Sequence, residues 1–238
     1  MITPLIHKLE RFQPLSDADR QLLTDAFTRE ADVPRHQHII TEGERPSKIH
    51  LLVEGWACRY KLLPNGKRHI VAYLMPGDLC DIHITLLKRM DHSITTLTSA
   101  KVMAISHDRI SEILNTHPAL SCALLWSTLV DEATLREWLV NTGSRSAEQR
   151  LAHLLCELMA RSRAAGIIKD GCMTLPLTQD DMSDAMGLTV VHTNRVLQKL
   201  RREGLIELKG RRLIIPDWER LTAFSEFDPT YLHLERNY

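Results

Sequence analysis

Hydrophobic residues change their spacing along the chain, and each change predicts a different kind of structure. Over residues 3–30 they recur at helical spacing, and Ser16 stands where a helix would be capped. Residues 32–106 instead hold short runs of β-branched residues broken by turn residues, among them Asn65-Gly66 between two apolar runs. This alternation predicts about eight short antiparallel strands, typical of a β-sandwich or small barrel.

Helical spacing returns at His107 and continues for a long stretch, with Pro118 in the first turn of the main helix. The leucines of this helix face more than one side, and a helix with two apolar faces needs two partners. We expect one partner to be the β-domain and the other to be the same helix of a second copy. Residues 141–146 combine Asn, Gly and Ser, which predicts a hinge to a further domain.

Residues 177–216 carry the strongest local signals of the sequence. Thr178 is a predicted helix cap, Gly187 can take the left-handed conformation that ends a helix, and Thr189 is placed to cap a second helix. Two helices joined by a short turn that contains glycine predict a helix-turn-helix.

The second of these helices separates apolar from polar residues by face. Its inner positions follow the spacing i, i+3, i+4, i+7, beginning at Thr193. Arginine can pair with guanine, and asparagine or glutamine with adenine, so the other face is suited to contact base edges. That outer face carries Val191, Asn194, Arg195 and Gln198.

Charge is balanced over the chain, with 30 basic and 30 acidic residues, but it is not evenly spread. Residues 192–212 contain far more Lys and Arg than Asp and Glu, which suggests a surface that binds a polyanion. Lys209 and Arg211 flank Gly210 in a predicted hairpin, which would form a basic wing beside the second helix and contact phosphates.

Composition and motifs exclude several other classes of protein. Apolar residues make up 44% and charged residues 25% of the chain, as in ordinary globular domains. No run approaches the roughly 20 apolar residues of a spanning helix, and residues 1–10 lack the pattern of a secretory signal, so no membrane partner is expected. Five widely spaced cysteines without a C-x-x-C pair indicate reduced thiols and a cytoplasmic location.

The sequence also lacks the motifs of serine hydrolases, zinc proteases, phosphate-binding loops and dinucleotide-binding folds, so we do not expect an enzyme. Its 12 histidines are scattered and indicate no chelating cluster, so no metal site is expected.

The run over residues 177–216 resembles the winged helix-turn-helix of the CRP/FNR family of bacterial transcription regulators, and the order of parts is similar along nearly the whole chain. In the strand-rich region the resemblance rests on Glu42-Gly43, Val53-Glu54-Gly55 and Pro76-Gly77-Asp78. It implies an α+β fold with an N-terminal antiparallel β-roll of the cupin-like jelly-roll kind, a long dimerisation helix and a C-terminal winged helix-turn-helix. The corresponding domains are residues 1–106 (helices and β-roll sensor), 107–142 (dimerisation helix) and 143–238 (DNA-binding domain with a C-terminal tail).

The resemblance further implies a homodimer that binds palindromic double-stranded DNA, with RNA polymerase as a partner. Arg195 matches the arginine that reads guanine in this family, and Thr189 and His192 match positions that touch phosphate. Asn194 matches a position that is often Ser or Gly, while Val191 departs from the Glu of better-known members and could contact only a thymine methyl group. The candidate DNA-binding residues are Thr178, Thr189, Val191, His192, Asn194, Arg195, Gln198, Lys209 and Arg211.

The stretch over residues 78–93 matches the phosphate cassette of relatives that bind cyclic AMP, but it lacks their Gly-Glu and Arg-Ser pairs. Asp81 and Asp91 would repel a phosphate, so the sequence disfavours cyclic AMP. No cysteine precedes Cys58, which disfavours an iron–sulfur cluster. A thiol and an imidazole at this position leave haem, a redox switch or plain packing open. The candidate effector residues are Cys80, Asp81, His83, Arg89 and His92.

One alternative from another class stays open on the sequence alone. The chain could be a signalling module that responds to a cyclic nucleotide, haem or redox state without sequence-specific DNA binding. The basic wing and the polar helix face favour the DNA-binding regulator over this alternative.

Overall fold

The structure is a computed structural model that describes residues 2–168 and 171–235, apart from the side chains of Arg29 and Glu30. The C-terminal tail expected to reach residue 238 is therefore described only to Glu235. Two short helices open the chain, α1 (Thr3–Leu9) and α2 (Asp17–Ala26).

The predicted cap of α2 is confirmed, because the Ser16 hydroxyl accepts a hydrogen bond of 3.1 Å from the backbone N–H of Asp19. The helical prediction for residues 3–30 extended too far. Phe27 already has an extended backbone, and the first strand begins at Thr28, because the apolar face of α2 is complete at Phe27.

Two antiparallel sheets follow, in the strand orders β1-β7-β3 and β2-β6-β4-β5. Buried residues from both sheets share one hydrophobic core, among them Leu51 and Ile94. The predicted turn at Asn65-Gly66 joins β4 to β5, and residues 78–92 hold one short helix, α3 (Ile84–Leu87), between β5 and β6. Within the described residues this region has seven strands, one fewer than predicted: β1 (Thr28–Val33), β2 (His38–Ile40), β3 (Lys48–Glu54), β4 (Ala57–Leu62), β5 (Arg68–Leu74), β6 (Ser93–Thr96) and β7 (Ala100–Ser106).

The central helical region consists of α4 (His107–Thr116) and α5 (Pro118–Ser144), which meet at an angle of 113°. Pro118 occupies the first turn of α5, as predicted. Within residues 2–168 and 171–235, no single helix is long and apolar enough to cross a membrane. The bent pair of α4 and α5 passes that test only by combined length and composition.

The predicted hinge over residues 141–146 lies mostly inside a helix, because α5 continues through Gly143 to Ser144. Asn141 holds this last turn in place, since its buried side-chain amide donates a hydrogen bond of 3.1 Å to the carbonyl of Arg150. The helix ends at Arg145, whose backbone is extended, and Ser146 then caps the next helix.

The C-terminal region is built around a buried helix, α6. Its leucines share one core with the helix-turn-helix and with the small sheet, whose strand order is β8-β10-β9. The elements are α6 (Ala147–Ala164), β8 (Met173–Thr174), α7 (Gln179–Met186), α8 (Val190–Arg202), β9 (Glu207–Lys209), β10 (Arg212–Ile214), α9 (Trp218–Ser225) and a 3-10 helix (Pro229–Leu232).

Contacts between the β-roll and α7 tie the N-terminal and C-terminal regions together. Arg68 of β5 forms ion pairs with Asp181 at 2.8 Å and with Asp184 at 2.7 Å. The buried hydroxyl of Tyr73 donates a hydrogen bond of 2.8 Å to the carbonyl of Asp181. The fold is therefore α+β, with antiparallel sheets at the N-terminus, a long helix and a C-terminal helix-turn-helix.

Candidate functional site

Local capping interactions set the geometry of the helix-turn-helix. The Thr178 hydroxyl accepts the N–H of Asp181, and the Asp181 carboxylate accepts the N–H of Thr178, which caps α7 from both sides. Gly187 then ends α7 at φ 65°, a conformation that residues with a Cβ atom rarely adopt. Thr189 accepts the N–H of His192 and caps α8. All three capping signals of the sequence are confirmed.

The division of α8 into two faces is also confirmed. Val191 is 62% exposed, and Gln198 donates a hydrogen bond of 3.1 Å to the side-chain oxygen of Asn194. This bond aligns two amides along one exposed face, with Arg195 beside them. The outer face exposes Val191, His192, Asn194, Arg195 and Gln198, while Thr193, Val196, Leu197 and Leu200 are buried.

The predicted wing is a hairpin in which Lys209 of β9 lies opposite Arg212 of β10. Gly210 stands at the turn with φ 59° and lets the hairpin close tightly. Lys209 and Arg211 are exposed, and neither forms an ion pair with any residue in the described part of the chain. The wing therefore presents uncompensated positive charge to solvent.

The Thr178 side chain is engaged as both acceptor and donor within the cap of α7. Its hydroxyl also lies 2.7 Å from the Asp181 carboxylate, which in turn pairs with Arg68. Burial raises the pKa of Asp181, but the hydrogen bonds from Thr178 and the charge of Arg68 outweigh burial and lower it overall. The carboxylate is therefore ionised at neutral pH and keeps the cap of α7 formed.

A cavity of ≈ 620 Å³ lies between the β-roll and the helices α1, α5 and α6. Of the five candidate effector residues, His83 and His92 line this cavity. Cys80 and Asp81 are fully buried outside its lining, and Arg89 is exposed to solvent. The structure thus brings two of the five together and separates the others.

The buried surroundings of Asp81 and Cys80 give them a role in holding the fold together rather than a role in the cavity. The Asp81 carboxylate accepts hydrogen bonds from the backbone N–H of His50 at 2.7 Å and from its ring at 2.8 Å. Burial raises the pKa of the Cys80 thiol well above its ordinary value, and the charge of Asp81 adds to this effect. A neutral thiol outside the cavity is a poor ligand for haem and a poor redox switch.

The cations around the cavity already have partners, which argues against a bound cyclic-nucleotide phosphate. Arg59 pairs with Asp131 at 3.3 Å and donates to the carbonyls of Leu79 and Cys80. Lys61 pairs with Glu42 at 2.6 Å. The remaining lining cations are also engaged: Lys8 and Arg161 with Asp78, and Arg11 with the carbonyls of Ala164 and Leu234.

Sequence reasoning missed this network of paired charges. Asp78 stands out in the sequence only as part of a turn motif, yet it holds both Lys8 from α1 and Arg161 from α6. The partners lie far apart in the sequence, so no spacing pattern links them. The fold alone brings them together.

Comparisons with known proteins agree with this architecture. Residues 30–117 match the family model of the cyclic nucleotide-binding domain, and residues 149–224 match that of the Crp-like helix-turn-helix domain. Over 190 residues the chain is 30% identical to the transcriptional activator protein FnrL of Cereibacter sphaeroides, which covers 78% of this chain and 75% of FnrL.

Two further similarities extend the comparison. The chain is 27% identical over 191 residues to the transcriptional activatory protein AadR of Rhodopseudomonas palustris, covering 80% of this chain and 76% of AadR. Its fold is similar to the structure of FixK2 from Bradyrhizobium japonicum, with a TM-score of 0.76 and 23% identity, over 83% of this chain and 96% of FixK2.

Proposed function

The chain belongs to the CRP/FNR family of transcription regulators, and we propose that two copies of it pair along α5 and read one palindromic DNA site. It is a DNA-binding regulator with a cyclic nucleotide-binding-like domain, and the alternative of a signalling module without DNA binding is not favoured. We further propose that it acts in the cytoplasm, with RNA polymerase as the partner that it recruits or blocks.

The exposed face of α8 is the observation that carries this proposal. It combines two aligned amides and an exposed guanidinium, and the basic wing follows α8 in the chain after a short link. Hydrogen-bonding groups of this kind read base edges in the major groove, while basic groups on a hairpin bind phosphates and position the helix. We assign base reading to Asn194, Arg195 and Gln198, an apolar contact to Val191, and phosphate contacts to Thr189, His192, Lys209 and Arg211.

An exposed apolar stripe along α5 supports the dimer. The residues of this stripe are spaced as on one side of a helix, with the exposed Glu132–Arg136 ion pair among them. An exposed apolar face with a polar pair of this kind is typical of an interface. Two-fold symmetry about the stripe would set two α8 helices one DNA turn apart, roughly 34 Å. The stripe consists of Leu125, Leu129, Leu135, Leu139 and Val140.

Replacing Arg195 with alanine is expected to weaken binding to the preferred site by about 1–3 kcal/mol and to relax the preference at one base position in each half-site. The reason is that alanine cannot supply the bidentate guanidinium contact to guanine. Selection of bound duplexes from a random library, run in parallel for both proteins, measures the preference. Arg35→Ala, which removes an exposed guanidinium between β1 and β2, is the matched control. An unchanged base preference in Arg195→Ala would remove Arg195 from the reading role.

The double variant Lys209→Ala/Arg211→Ala is expected to weaken all DNA sequences alike. A plot of log affinity against log salt concentration has a slope set by the number of phosphates neutralised. The magnitude of this slope should fall by about 0.9 for each phosphate that the wing no longer contacts. Binding titrations over a range of salt concentrations measure this slope, and the preferred base sequence should not change. Arg35→Ala/Lys48→Ala, which removes two exposed charges from the β-roll, should keep the slope of the unmodified protein. A wild-type slope in the wing variant would contradict phosphate contact by the wing.

Selection from a random library with purified protein and nothing added tests the proposed function as a whole. We expect a palindrome to be enriched, and we expect added cyclic AMP to leave the enrichment unchanged because the cavity cations are already paired. Failure to enrich any sequence, with or without cyclic AMP, would contradict the proposal.

A further inference from the structure

Two histidines and an aspartate meet at the wall of the cavity, although they come from different segments. His83 stands at the start of α3, and Asp91 and His92 precede β6. The rings of His83 and His92 lie 5.3 Å apart between centroids. One potential ligand atom from each of the three residues lies within 4.8 Å of the other two.

Hydrogen bonding leaves the Nε2 atoms of the two imidazoles without partners among the described residues. The Nδ1 atom of His92 lies 2.7 Å from Asp91 Oδ1, and an ionised carboxylate can only accept, so Nδ1 carries the proton. The Nε2 atom of His92 is then an unprotonated acceptor. Within the described part of the chain, neither this Nε2 atom nor that of His83 has a hydrogen-bond partner, although both are buried. Buried polar atoms of folded proteins are rarely left without a partner.

We propose that His83, Asp91 and His92 bind a divalent first-row transition-metal ion such as Zn²⁺. Two imidazoles and one carboxylate form a donor set that suits these ions. Bonds of about 2.0–2.1 Å in tetrahedral geometry place ligand atoms about 3.4 Å apart. The ligand atoms lie within 4.8 Å of one another, so they need to close by at most about 1.4 Å. On binding the ion, Asp91 would exchange its hydrogen bond to His92 for a bond to the metal, because a carboxylate that stays on Nδ1 cannot also reach an ion held by Nε2 of the same ring.

The surroundings define what kind of site this is. All three residues line the cavity, so a fourth coordination position would face open space and could hold water or an exchangeable ligand. Arg59 and Lys61 also line this cavity, and their charges are offset by Asp131 and Glu42, with which they pair.

Direct titration of metal-free, tag-free protein with Zn²⁺, in competition with a chromophoric chelator, tests the proposal independently of DNA binding. One Zn²⁺ per chain is expected. His83→Gln and His92→Gln should each weaken binding at least about a hundredfold, and Asp91→Asn about ten- to a hundredfold. His38→Gln, which changes an exposed histidine of β2, is the matched control and should bind as the unmodified protein does.

Co²⁺ titration adds a spectroscopic readout, because the visible bands of Co²⁺ report nitrogen ligation and coordination geometry. These bands should appear with the unmodified protein and disappear in His83→Gln and His92→Gln. Asp91 is exposed, so Asp91→Asn tests the site without disturbing the core. Absence of Zn²⁺ binding by the unmodified protein, or wild-type affinity in Asp91→Asn and both histidine variants, would overturn the proposal. A protein that binds no DNA but binds Zn²⁺ as described would leave it standing.

Discussion

Replacing Asp78 with alanine is expected to lower the free energy of unfolding by about 3 kcal/mol. The carboxylate of this buried residue accepts hydrogen bonds from Lys8 at 2.8 Å, from Arg161 at 2.9 Å and from the backbone N–H of Met75 at 2.8 Å. Removing it leaves two mostly buried cations with weaker partners, because Lys8 lies 3.6 Å from Asp131 and Arg161 lies 3.3 Å from Glu157. The expected loss of stability follows from the cost of leaving buried charges without close partners.

The pH dependence of this effect has a definite sign. Burial alone would raise the pKa of Asp78, but the charges of Lys8 and Arg161 and their hydrogen bonds outweigh burial and lower it from 3.8 to about 2. A carboxyl group with a lowered pKa stabilises the fold at pH values above its ordinary pKa. This contribution is lost as the pH falls through about 2. The difference between the unmodified protein and Asp78→Ala should therefore be full at neutral pH and shrink in acid.

Urea unfolding at neutral pH and at about pH 3 measures both parts of this prediction. Glu54→Ala is the matched control, because it removes a carboxylate that pairs with Lys101 at 3.0 Å on the exposed surface. A surface pair of this kind contributes less than about 1 kcal/mol. Equal destabilisation by the two substitutions at neutral pH would contradict the role of burial at Asp78.

The sequence predicted best where structure depends on residues close together along the chain. Ser16, Thr178 and Thr189 were identifiable as caps because a capping side chain bonds to a backbone group three residues on. Gly187 and the hairpin around Gly210 were likewise visible from local backbone requirements. The helix-turn-helix and its exposed face followed from these local signals.

Contacts between distant segments were not predictable in the same way. The break expected over residues 141–146 comes only at Arg145 and Ser146, because Asn141 is still inside α5 and its buried amide bonds to the next helix. Cys80 and His83 were grouped because both lie in the stretch that matches the phosphate cassette of relatives, yet burial places the thiol outside the cavity that His83 lines. The neighbour of His83 is His92, nine positions on and beyond α3. Only the path of the chain through the sheet decides such pairings.

Contacts between distant segments also decide which leucines of α5 are exposed. The sequence indicated two apolar faces on this helix but did not show which leucines pack against the β-roll. The structure assigns one face, since Leu120 and Leu124 pack into the core of the β-roll. On the other face, Leu129 is 51% exposed to solvent and Leu139 is 74% exposed. Solvent contact on this scale is costly for a single chain and would be relieved in the proposed dimer.

The double variant Leu129→Glu/Leu139→Glu is therefore expected to separate the dimer into monomers and to weaken binding to the palindrome by about a hundredfold or more. Two-fold symmetry brings four new carboxylates into one interface, where they repel each other and lose hydration. A monomer then holds one half-site without the gain in effective concentration that the linked second helix supplies. Sedimentation measures the assembly, and titration with a palindrome and with a single half-site measures both affinities.

The affinity for a single half-site should stay close to that of the unmodified protein, because α8 and the wing are untouched by these substitutions. Leu62→Glu/Leu63→Glu is the matched control, since it adds two carboxylates at exposed leucines where β4 turns toward β5, outside the cavity that the stripe residue Leu135 lines. This control should remain dimeric and bind the palindrome normally. A dimeric Leu129→Glu/Leu139→Glu protein with unchanged palindrome affinity would show that the stripe is not the surface through which two copies cooperate on DNA.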